Sequence, residues 1–306
     1  MIAYHQRGDT MEKEKIYELS EFSDEEARKY ISLLFDGYKN RKKEKRLYAH
    51  DGIPEIIIKT YYNFVKKPNF DQIVINFKKR YIYNENKVED VYEQEEIKGL
   101  ASVYDYIQKK EDLENISIYD LSYLHEQLYS KTPFPEFGGK YRRREIYLLG
   151  KSKNGIETGN VELCPYWNIT HEMNLLKPEI KKLVKRGIKL KENIQINELM
   201  DYINDCIKLK CKIIKIHPFE DGNGRVTRAF TNLLFRLANI PPVYVENKEK
   251  IKYQKAMNNA LSKGDFTDII DFYHFKICDS IMDLDINIKN DLIYKDSDIV
   301  SKEKQI

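Results

Sequence analysis

The stretch from Ile216 to Phe230, IHPFEDGNGRVTRAF, decides the fold because it places many polar residues between two segments of helical periodicity. The preceding segment, INELMDYINDCIKLKCKIIKI, and the following one, RAFTNLLFRLANI, both repeat apolar residues at three- and four-residue intervals. Proline disfavours helical geometry in the residue before it, so Pro218 predicts that the first helix ends at His217. The sequence therefore predicts two buried helices whose connecting loop holds the functional groups.

The loop has the residues of a phosphate-binding site. Gly222 and Gly224 allow the backbone to turn sharply and to approach a ligand closely. The helix that begins there offers unpaired N–H groups and a partial positive charge, and we call its first turn, residues 222–225, the anion cradle. Arg225 and Arg228 lie three residues apart and share the helix face beside it. This much positive charge exceeds what one carboxylate ligand needs, so the pattern favours a polyphosphate.

Asp221 and His217 complete the predicted chemistry. An acid beside a polyphosphate would repel it unless a divalent cation lay between them, so Asp221 predicts a Mg²⁺ site. His217 is placed to accept a proton from an incoming nucleophile. The residues thus indicate a nucleoside polyphosphate, Mg²⁺ and a general base, with a polar linker of surface salt bridges as the alternative. A G-x-G-x-x-G dinucleotide motif is excluded, because Thr227 occupies its last position.

The same stretch resembles the signature of the Fic (filamentation induced by cAMP) family, H-x-F-x-(D/E)-G-N-G-R-x-x-R. Every fixed position is matched, by His217, Phe219, Asp221, Gly222, Asn223, Gly224, Arg225 and Arg228. Four more segments occur in the order expected of a Fic core: EEIKGLASVYDYI, LSYLHEQLY, GGKYRRREIYLLG and KGDFTDIIDFY. The resemblance spans roughly residues 90 to 280.

The resemblance implies an all-α fold, in which a helical core carries a small β-hairpin flap and follows an N-terminal helical extension. We predict the extension over residues 1–88, the Fic domain over 89–283 and a polar tail over 284–306. The composition agrees with long helices, because 13 glycines and nine prolines are few for 306 residues. Periodicity predicts one helix with inward Ile97, Leu100, Val103 and Ile107, and a second one capped by Ser117.

The resemblance also implies that the protein is a protein adenylyltransferase. Such an enzyme transfers AMP from ATP to a Ser, Thr or Tyr hydroxyl of a target protein, here also of itself, and releases pyrophosphate. His217 would deprotonate the hydroxyl, and Asp221 would bind the Mg²⁺ that bridges the phosphates. The residues expected to hold the phosphates are Gly222, Asn223, Gly224, Arg225 and Arg228, and Asn223 would join His217 in catalysis by holding phosphate oxygens as their negative charge grows. Tyr253 is expected to line the adenosine pocket, with a place in the core as the alternative.

The flap, GGKYRRREIYLLG at residues 138–150, is expected to pair with an extended segment of the target by β-augmentation. Its candidate target-binding residues are Lys140, Tyr141, Arg142 and Arg143. The basic run from Arg142 to Arg144 fits either an acidic target or a solvated surface.

Fic proteins can carry an inhibitory helix, (S/T)-x-x-x-E-(G/N), whose Glu pairs with the second arginine of the signature. The segment ENKVED at 85–90 keeps that acid as Glu89 but has Glu85 and Asp90 at its two ends. The segment SLLFDG at 32–37 keeps both ends but has Asp36, whose reach is shorter by roughly one C–C bond, about 1.5 Å. We predict inhibition, weakened by these departures, through Glu89 rather than Asp36.

Charge and cysteine content narrow the function classes. The 52 basic and 49 acidic residues leave a net charge of +3, which argues against a dedicated nucleic-acid binder, including one that would use the basic run 41–46. The four cysteines form no C-x-x-C pair, so reduced thiols are expected. With neither a Sec signal nor a membrane-length apolar run, we expect a cytoplasmic protein, and secretion by a specialised system stays open.

Other functions stay open beside AMP transfer. A Fic-fold enzyme can use another phosphate-containing donor or remove AMP, and a non-catalytic nucleotide-binding module is an alternative from another class. The intact His217 favours an enzyme, because a binder needs no base. Formation of a homo-oligomer stays open, and the sequence does not identify the target protein.

Overall fold

The computed structural model describes residues 2–7, 10–15, 78, 81–91, 93–146, 161–193 and 195–284 of the chain. For the N-terminal extension, the predicted inhibitory role of Asp36 lies outside the described residues. The predicted polar tail also lies outside them, except for residue 284.

The chain begins with a hairpin of two antiparallel strands, β1 (Ile2–Arg7) and β2 (Thr10–Lys15), in which Arg7 pairs with Thr10. This corrects the expectation of an all-helical extension. The intervening sequence, Gly8–Asp9, is of the type that favours two-residue hairpin loops, and it was the missed signal.

The remainder of the described chain is helical, which confirms the all-α class. The helices are α1 (81–88), α2 (Gln94–Lys109), α3 (Ile118–Tyr129), α4 (Ile169–Leu175), α5 (Lys177–Glu192), α6 (Ile196–Ile216), α7 (Asn223–Leu237), α8 (Lys250–Lys263) and α9 (Thr267–Leu284). Single turns of 3₁₀-helix occur at Pro135–Phe137, Tyr166–Asn168 and Asn247–Glu249. Within residues 78–284, the described part contains no strand.

The helices α2 and α3 form a close antiparallel pair beside the site. α3 begins at Ser117, where a capping box with Asp120 satisfies the first backbone N–H groups, as the sequence predicts. In α2 the apolar side chains of Leu100, Val103 and Ile107 are buried, whereas Ile97 is 37% exposed, so its inward placement was wrong.

α7 is the central helix of the fold. It packs against α2, α3, α5 and α6, and all but two of its residues are buried. A helix surrounded in this way needs no polar face, which explains why even Arg225, Arg228 and Asn232 lie inside the protein. The motif loop therefore leads into the middle of the core. Among the described helices, none has the length and apolar character needed to cross a membrane.

Candidate active site

The first feature of the site is the end of α6. Its cap is His217, as predicted, in the left-handed region at φ 52°, and the His217 backbone N–H donates to the carbonyl of Ile213 over 2.9 Å. A left-handed backbone costs a residue with a Cβ about 1 kcal/mol or more, so neighbouring contacts must hold it. The turn carries the chain out of the helix and into the motif loop.

The imidazole of His217 is set up as a proton acceptor. Its Nδ1 lies 3.3 Å from the carbonyl oxygen of Ile214, and a carbonyl only accepts, so this contact places the ring proton on Nδ1. The other nitrogen, Nε2, then keeps its lone pair. Burial and the charge of Arg142 lower the pKa of His217, against the opposing effects of the Ile214 carbonyl, Asp221 and Glu89. The neutral base is therefore the form present near pH 7.

The motif loop is held in shape by Asn223. The Asn223 Oδ1 accepts from the backbone N–H of Phe219 over 2.9 Å, and its Nδ2 donates to the Phe219 carbonyl over 2.8 Å. Both polar groups of the buried side chain are thus used within the loop. In this conformation the side chain of Asn223 therefore shapes the loop, and its binding of phosphate oxygens stays a prediction.

A histidine that the sequence interpretation passed over, His125 on α3, supports the same loop. Its Nδ1 accepts from the backbone N–H of Gly139 over 2.9 Å, and its Nε2 lies 3.0 Å from the carbonyl of Asp221. The ring also stacks on Phe219 at 3.9 Å between centroids. Burial lowers the pKa of His125 to about 4, so it is neutral and donates through Nε2. Its place in the apolar periodicity of LSYLHEQLY was the available signal.

The anion cradle begins at Gly222, the N-cap of α7, which has φ 73° and provides no side-chain cap. A Cβ there would lie 3.1 Å from both Leu128 Cδ2 and Tyr129 Cε2 on α3. Conformation and packing both require glycine, and since glycine provides no side-chain cap, binding of an anion at the first turn of α7 stays a prediction.

Asp221 is the exposed acid of the site, with 76% of its side chain accessible. The Tyr129 hydroxyl donates to its Oδ2 over 2.8 Å, and Nη2 of Arg225 lies 3.5 Å away. Partial desolvation by the surrounding protein acts to raise the pKa of Asp221, although the side chain is exposed, but hydrogen bonds from the Gly222 backbone and Tyr129, with the charge of Arg225, lower it overall. It is an ionised oxygen ligand near pH 7.

The residues present fit a Mg²⁺ ion that arrives with a nucleotide. Mg²⁺ commonly takes one or two protein carboxylates and completes its shell with phosphates and water. The described residues contain no group of three or more His, Cys, Asp or Glu that could hold a metal by themselves, and Asp221 is a single accessible carboxylate.

The two arginines of the signature occupy different surroundings. Arg225 is 1% exposed, its Nη1 donates to Glu96 on α2, and its Nε has no hydrogen-bond partner within the described residues. Since it also lies near Asp221, Arg225 orients that acid in this conformation. Binding of phosphate by Arg225 stays a prediction.

Arg228 is held by two acids from the N-terminal side. Its Nε donates to Glu85 Oε2 over 2.6 Å, and its Nη1 lies 2.7 Å from Glu89 Oε1. The side chain of Glu85 is fully buried, whereas that of Glu89 is 35% exposed. Burial raises the pKa of Glu85, and the charge of Arg228 opposes this. The sequence prediction placed Glu89 near Arg228, as the structure has it, but treated Glu85 only as a departure from the inhibitory pattern.

Glu89 also lies against the anion cradle. A Cβ built on Gly224 would collide with Glu89 Oε1, so this carboxylate oxygen stands directly over the first turn of α7. The next residue, Asp90, has φ 57° and accepts a salt bridge from Lys250 over 2.7 Å. That left-handed position explains why the family pattern has Gly or Asn there and why Asp is tolerated.

Tyr253 is a buried residue of α8 beside Arg228. It is 6% exposed, and its ring centroid lies 5.7 Å from Cζ of Arg228 and 5.0 Å from Nζ of Lys210. It also packs on Phe272. The alternative of a core aromatic describes this conformation, and contact with adenosine stays a prediction.

The described part of the flap, residues 138–146, contains no strand, and its last four residues lie outside the described residues. Lys140 and Arg143 are exposed, and Tyr141 is half-buried with its ring 5.8 Å from Phe219. Arg142 is only 2% exposed. For Arg142 the solvated-surface interpretation is therefore wrong, because the side chain points into the protein, and its contact with a target stays a prediction.

Sequence comparison finds similarity to one family over part of the chain. Residues 115–235 match the model of the Fic/DOC family. The chain is 26% identical over 184 residues to Protein adenylyltransferase Fic of Culex quinquefasciatus and 27% identical over 185 residues to the protein of that name in Drosophila ananassae. Each match covers 59% of this chain and 32% of the relative, so the chain spans about a third of the length of these curated relatives.

Solved structures show the same fold. A Fic domain containing signaling protein from Bacteroides thetaiotaomicron superposes with a TM-score of 0.55 at 17% identity, covering 76% of this chain and 94% of that one. Fic-1 from C. elegans superposes with a TM-score of 0.56 at 15% identity, covering 81% of this chain and 72% of that one.

Proposed function

We propose that this chain, which carries a Fic/DOC domain over residues 115–235, transfers AMP from ATP to a hydroxyl group of a protein target and of itself. The observation that carries the proposal is that His217, a neutral base, caps α6 at the start of the loop that leads into the anion cradle. The relatives named as protein adenylyltransferases support the same chemistry.

The proposed reaction is an in-line displacement at the α-phosphorus of ATP. Nε2 of His217 takes the proton of the target hydroxyl, and the hydroxyl oxygen forms a bond to the α-phosphorus. The bond from that phosphorus to the oxygen bridging the α- and β-phosphates breaks, and pyrophosphate leaves. The base contributes one proton transfer, and the remaining acceleration comes from positioning and electrostatics.

The anion cradle would stabilise the charge on the phosphates through the backbone N–H groups of α7, and Arg228 would bind the terminal phosphates once it is released by its acids. Asp221 would hold a Mg²⁺ ion, which would neutralise phosphate charge when bound. The α3 residues His125 and Tyr129 keep the loop and Asp221 in place.

We further propose that the described conformation is the self-inhibited one. Glu89 stands over the anion cradle and pairs with Arg228, so a triphosphate would meet a carboxylate where its terminal phosphate should lie. Glu85 provides a second pair to the same guanidinium from a fully buried position. These contacts argue that inhibition is strengthened at Glu85, in contrast to the weakened inhibition expected from the motif.

Labelled ATP tests both proposals. Label from the α-phosphate, and not from the γ-phosphate, should appear on the native chain, and His217→Ala should abolish it. The double variant Glu85→Ala/Glu89→Ala should raise self-labelling by at least about tenfold, whereas Glu89→Ala alone should raise it less because Glu85 still holds Arg228. The matched control is Glu95→Ala, an exposed acid of α2.

The outcomes separate the alternatives. Label from the γ-phosphate would show phosphate transfer instead of AMP transfer. ATP binding without any labelling, in the native chain and in the double variant, would indicate a nucleotide-binding module. Labelling that does not increase in the double variant would refute self-inhibition while leaving AMP transfer intact.

A further inference from the structure

Arg142, at the start of the flap, is bound almost entirely by backbone carbonyls around the end of α6. Its Nε donates to the carbonyl of His217 over 2.8 Å, and its Nη1 donates to that of Arg144 over 2.8 Å. Its Nη2 donates to the carbonyl of Cys164 and lies 3.5 Å from that of Ile216. One side chain thus joins the end of α6, the flap and the segment that precedes α4.

The backbone of Arg142 adds to this attachment. Its N–H donates to the carbonyl of Pro218 over 2.8 Å. The carbonyls of Ile216, His217 and Pro218, three successive residues, therefore all face Arg142. Those are the residues in which the chain leaves α6 through the left-handed conformation of His217.

The charge of Arg142 is compensated in an unusual way. The side chain is fully buried, and the acid that it contacts, Glu145, lies 3.6 Å away with 35% of its side chain exposed. The negative end of a 21-residue helix, α6, supplies the remaining compensation through its terminal carbonyls. A guanidinium suits this place because its planar fork can reach several carbonyls at once, which a lysine ammonium cannot do in the same geometry.

We propose that Arg142 is a positioning residue for the general base: it fixes the left-handed backbone of His217 and joins the flap to it. The inference rests on the proposed function, because it assigns Arg142 a role in AMP transfer. Without this attachment, the strained His217 backbone can relax, and Nε2 moves away from the place where the target hydroxyl must lie.

The positive charge has a second consequence for the base. It favours the neutral imidazole, whereas Asp221 in the loop and Glu89 after α1 favour the protonated one, and these are the charges that face His217 from the packed elements. Two variants distinguish the effect of the positive charge from that of the hydrogen bonds. Arg142→Lys keeps the charge but loses the planar guanidinium that binds several carbonyls, and Arg142→Gln loses both.

The kinetic experiment uses the full chain in the Glu85→Ala/Glu89→Ala background, with labelled ATP as substrate. Arg142→Lys should lower kcat for self-modification by about 10²-fold with KM for ATP changed less than about twofold. Arg142→Gln should show the same loss, and the acid limb of its pH–rate profile should move to higher pH. The control is Arg186→Gln, an ion-paired arginine of α5 outside the site, which should change neither.

Nuclear magnetic resonance of the ¹⁵N-labelled imidazole of His217 provides a readout that needs no activity. The parent should show one tautomer with the proton on Nδ1, and both Arg142 variants should show a mixture. The pKa of His217 should rise in Arg142→Gln and stay close to that of the parent in Arg142→Lys.

The results separate this inference from the proposed function. A parent that binds ATP but transfers no label would refute the proposed function, and an unchanged tautomer in both variants would refute the positioning role. A kcat equal to the parent's in Arg142→Lys, or a loss explained wholly by a smaller folded fraction in thermal melts, would also refute it. If Arg142→Gln does not fold, Arg142→Lys alone tests the positioning role.

Discussion

The loop from His217 to Arg228 is held from two sides, and the two sides use different forces. On the side of α3 and the flap, hydrogen bonds hold it: His125 and Arg142 bind backbone carbonyls of the loop, and the Tyr129 hydroxyl binds Asp221. On the side of α1, two carboxylates, Glu85 and Glu89, bind Arg228 by charge.

The contacts on the first side shape the loop, whereas those on the second side can regulate whether a nucleotide binds. A nucleotide does not compete for the hydrogen bonds to the backbone carbonyls of the loop, so we expect the α3 side to keep its geometry when ATP binds. Carboxylates at an arginine compete directly with phosphates for the same guanidinium, so the α1 side can be displaced. The two sides should therefore respond differently to substitution, and the following experiments test this from the largest expected effect to the smallest.

The largest effect is expected at His217 itself. His217→Ala should lower the rate of AMP transfer by about 10³-fold, because general-base catalysis contributes about 10²–10⁴. Loss of either arginine, by Arg225→Ala or Arg228→Ala, should cost less. Isothermal titration calorimetry should show ATP affinity unchanged in His217→Ala, and a large loss of affinity would show that the residue binds substrate instead of acting as the base.

The second effect compares the two acids on the α1 side. Glu85→Ala should lower the free energy of unfolding by about 3 kcal/mol, because removing one member of a buried pair leaves the other charge poorly compensated. Glu89→Ala should cost under about 1 kcal/mol, because its side chain is 35% exposed. Urea denaturation measures both values. Equal losses of unfolding free energy would contradict the distinction between a buried anchor, Glu85, and a displaceable acid, Glu89.

The third effect tests the neutral character of the α3 side. Burial lowers the pKa of His125 to about 4, from an ordinary value near 6.5. The folded state thus binds this proton less well than the unfolded state, so stability is complete above about pH 6.5 and is lost as pH falls towards 4, by about 3 kcal/mol.

Unfolding by urea at a series of pH values measures this dependence. His274, also buried with its pKa lowered to about 4, contributes in the same direction. His125→Gln should reduce the slope of stability against pH, whereas the same change at the exposed His171 should leave it unaltered. An unchanged slope in His125→Gln would show that folding does not lower the pKa of this histidine.

The smallest effect is expected at Tyr129. Burial and the neighbouring Asp221 raise the pKa of its hydroxyl, so it stays protonated and donates to that acid. Tyr129→Phe should destabilise the protein by about 1 kcal/mol and shift the Mg²⁺ dependence of transfer by under about fivefold. Tyr123→Phe, an exposed position on the same helix, is the control, and an equal shift there would remove Tyr129 from the site.

The sequence by itself determined the local features of this protein. Apolar periodicity predicted α2, α3, α6 and α7, Ser117 marked the start of α3, and Pro218 marked the end of α6 at His217. The spacing from His217 to Arg228 indicated the chemistry of the loop. These features are local because each depends on residues within a few positions of one another.

Only the tertiary structure decided which distant residues complete the site. Glu85 and Arg228 are 143 positions apart, and His217 and Arg142 are 75 apart. Local rules place charged side chains at the surface, so Arg142 was expected to face a target or solvent, and Glu85 was treated only as a departure from the inhibitory pattern. Periodicity shows which face of a helix is buried but not what meets it. A charged residue enters the core when a partner from elsewhere in the chain compensates it, and that pairing exists only after the chain has folded.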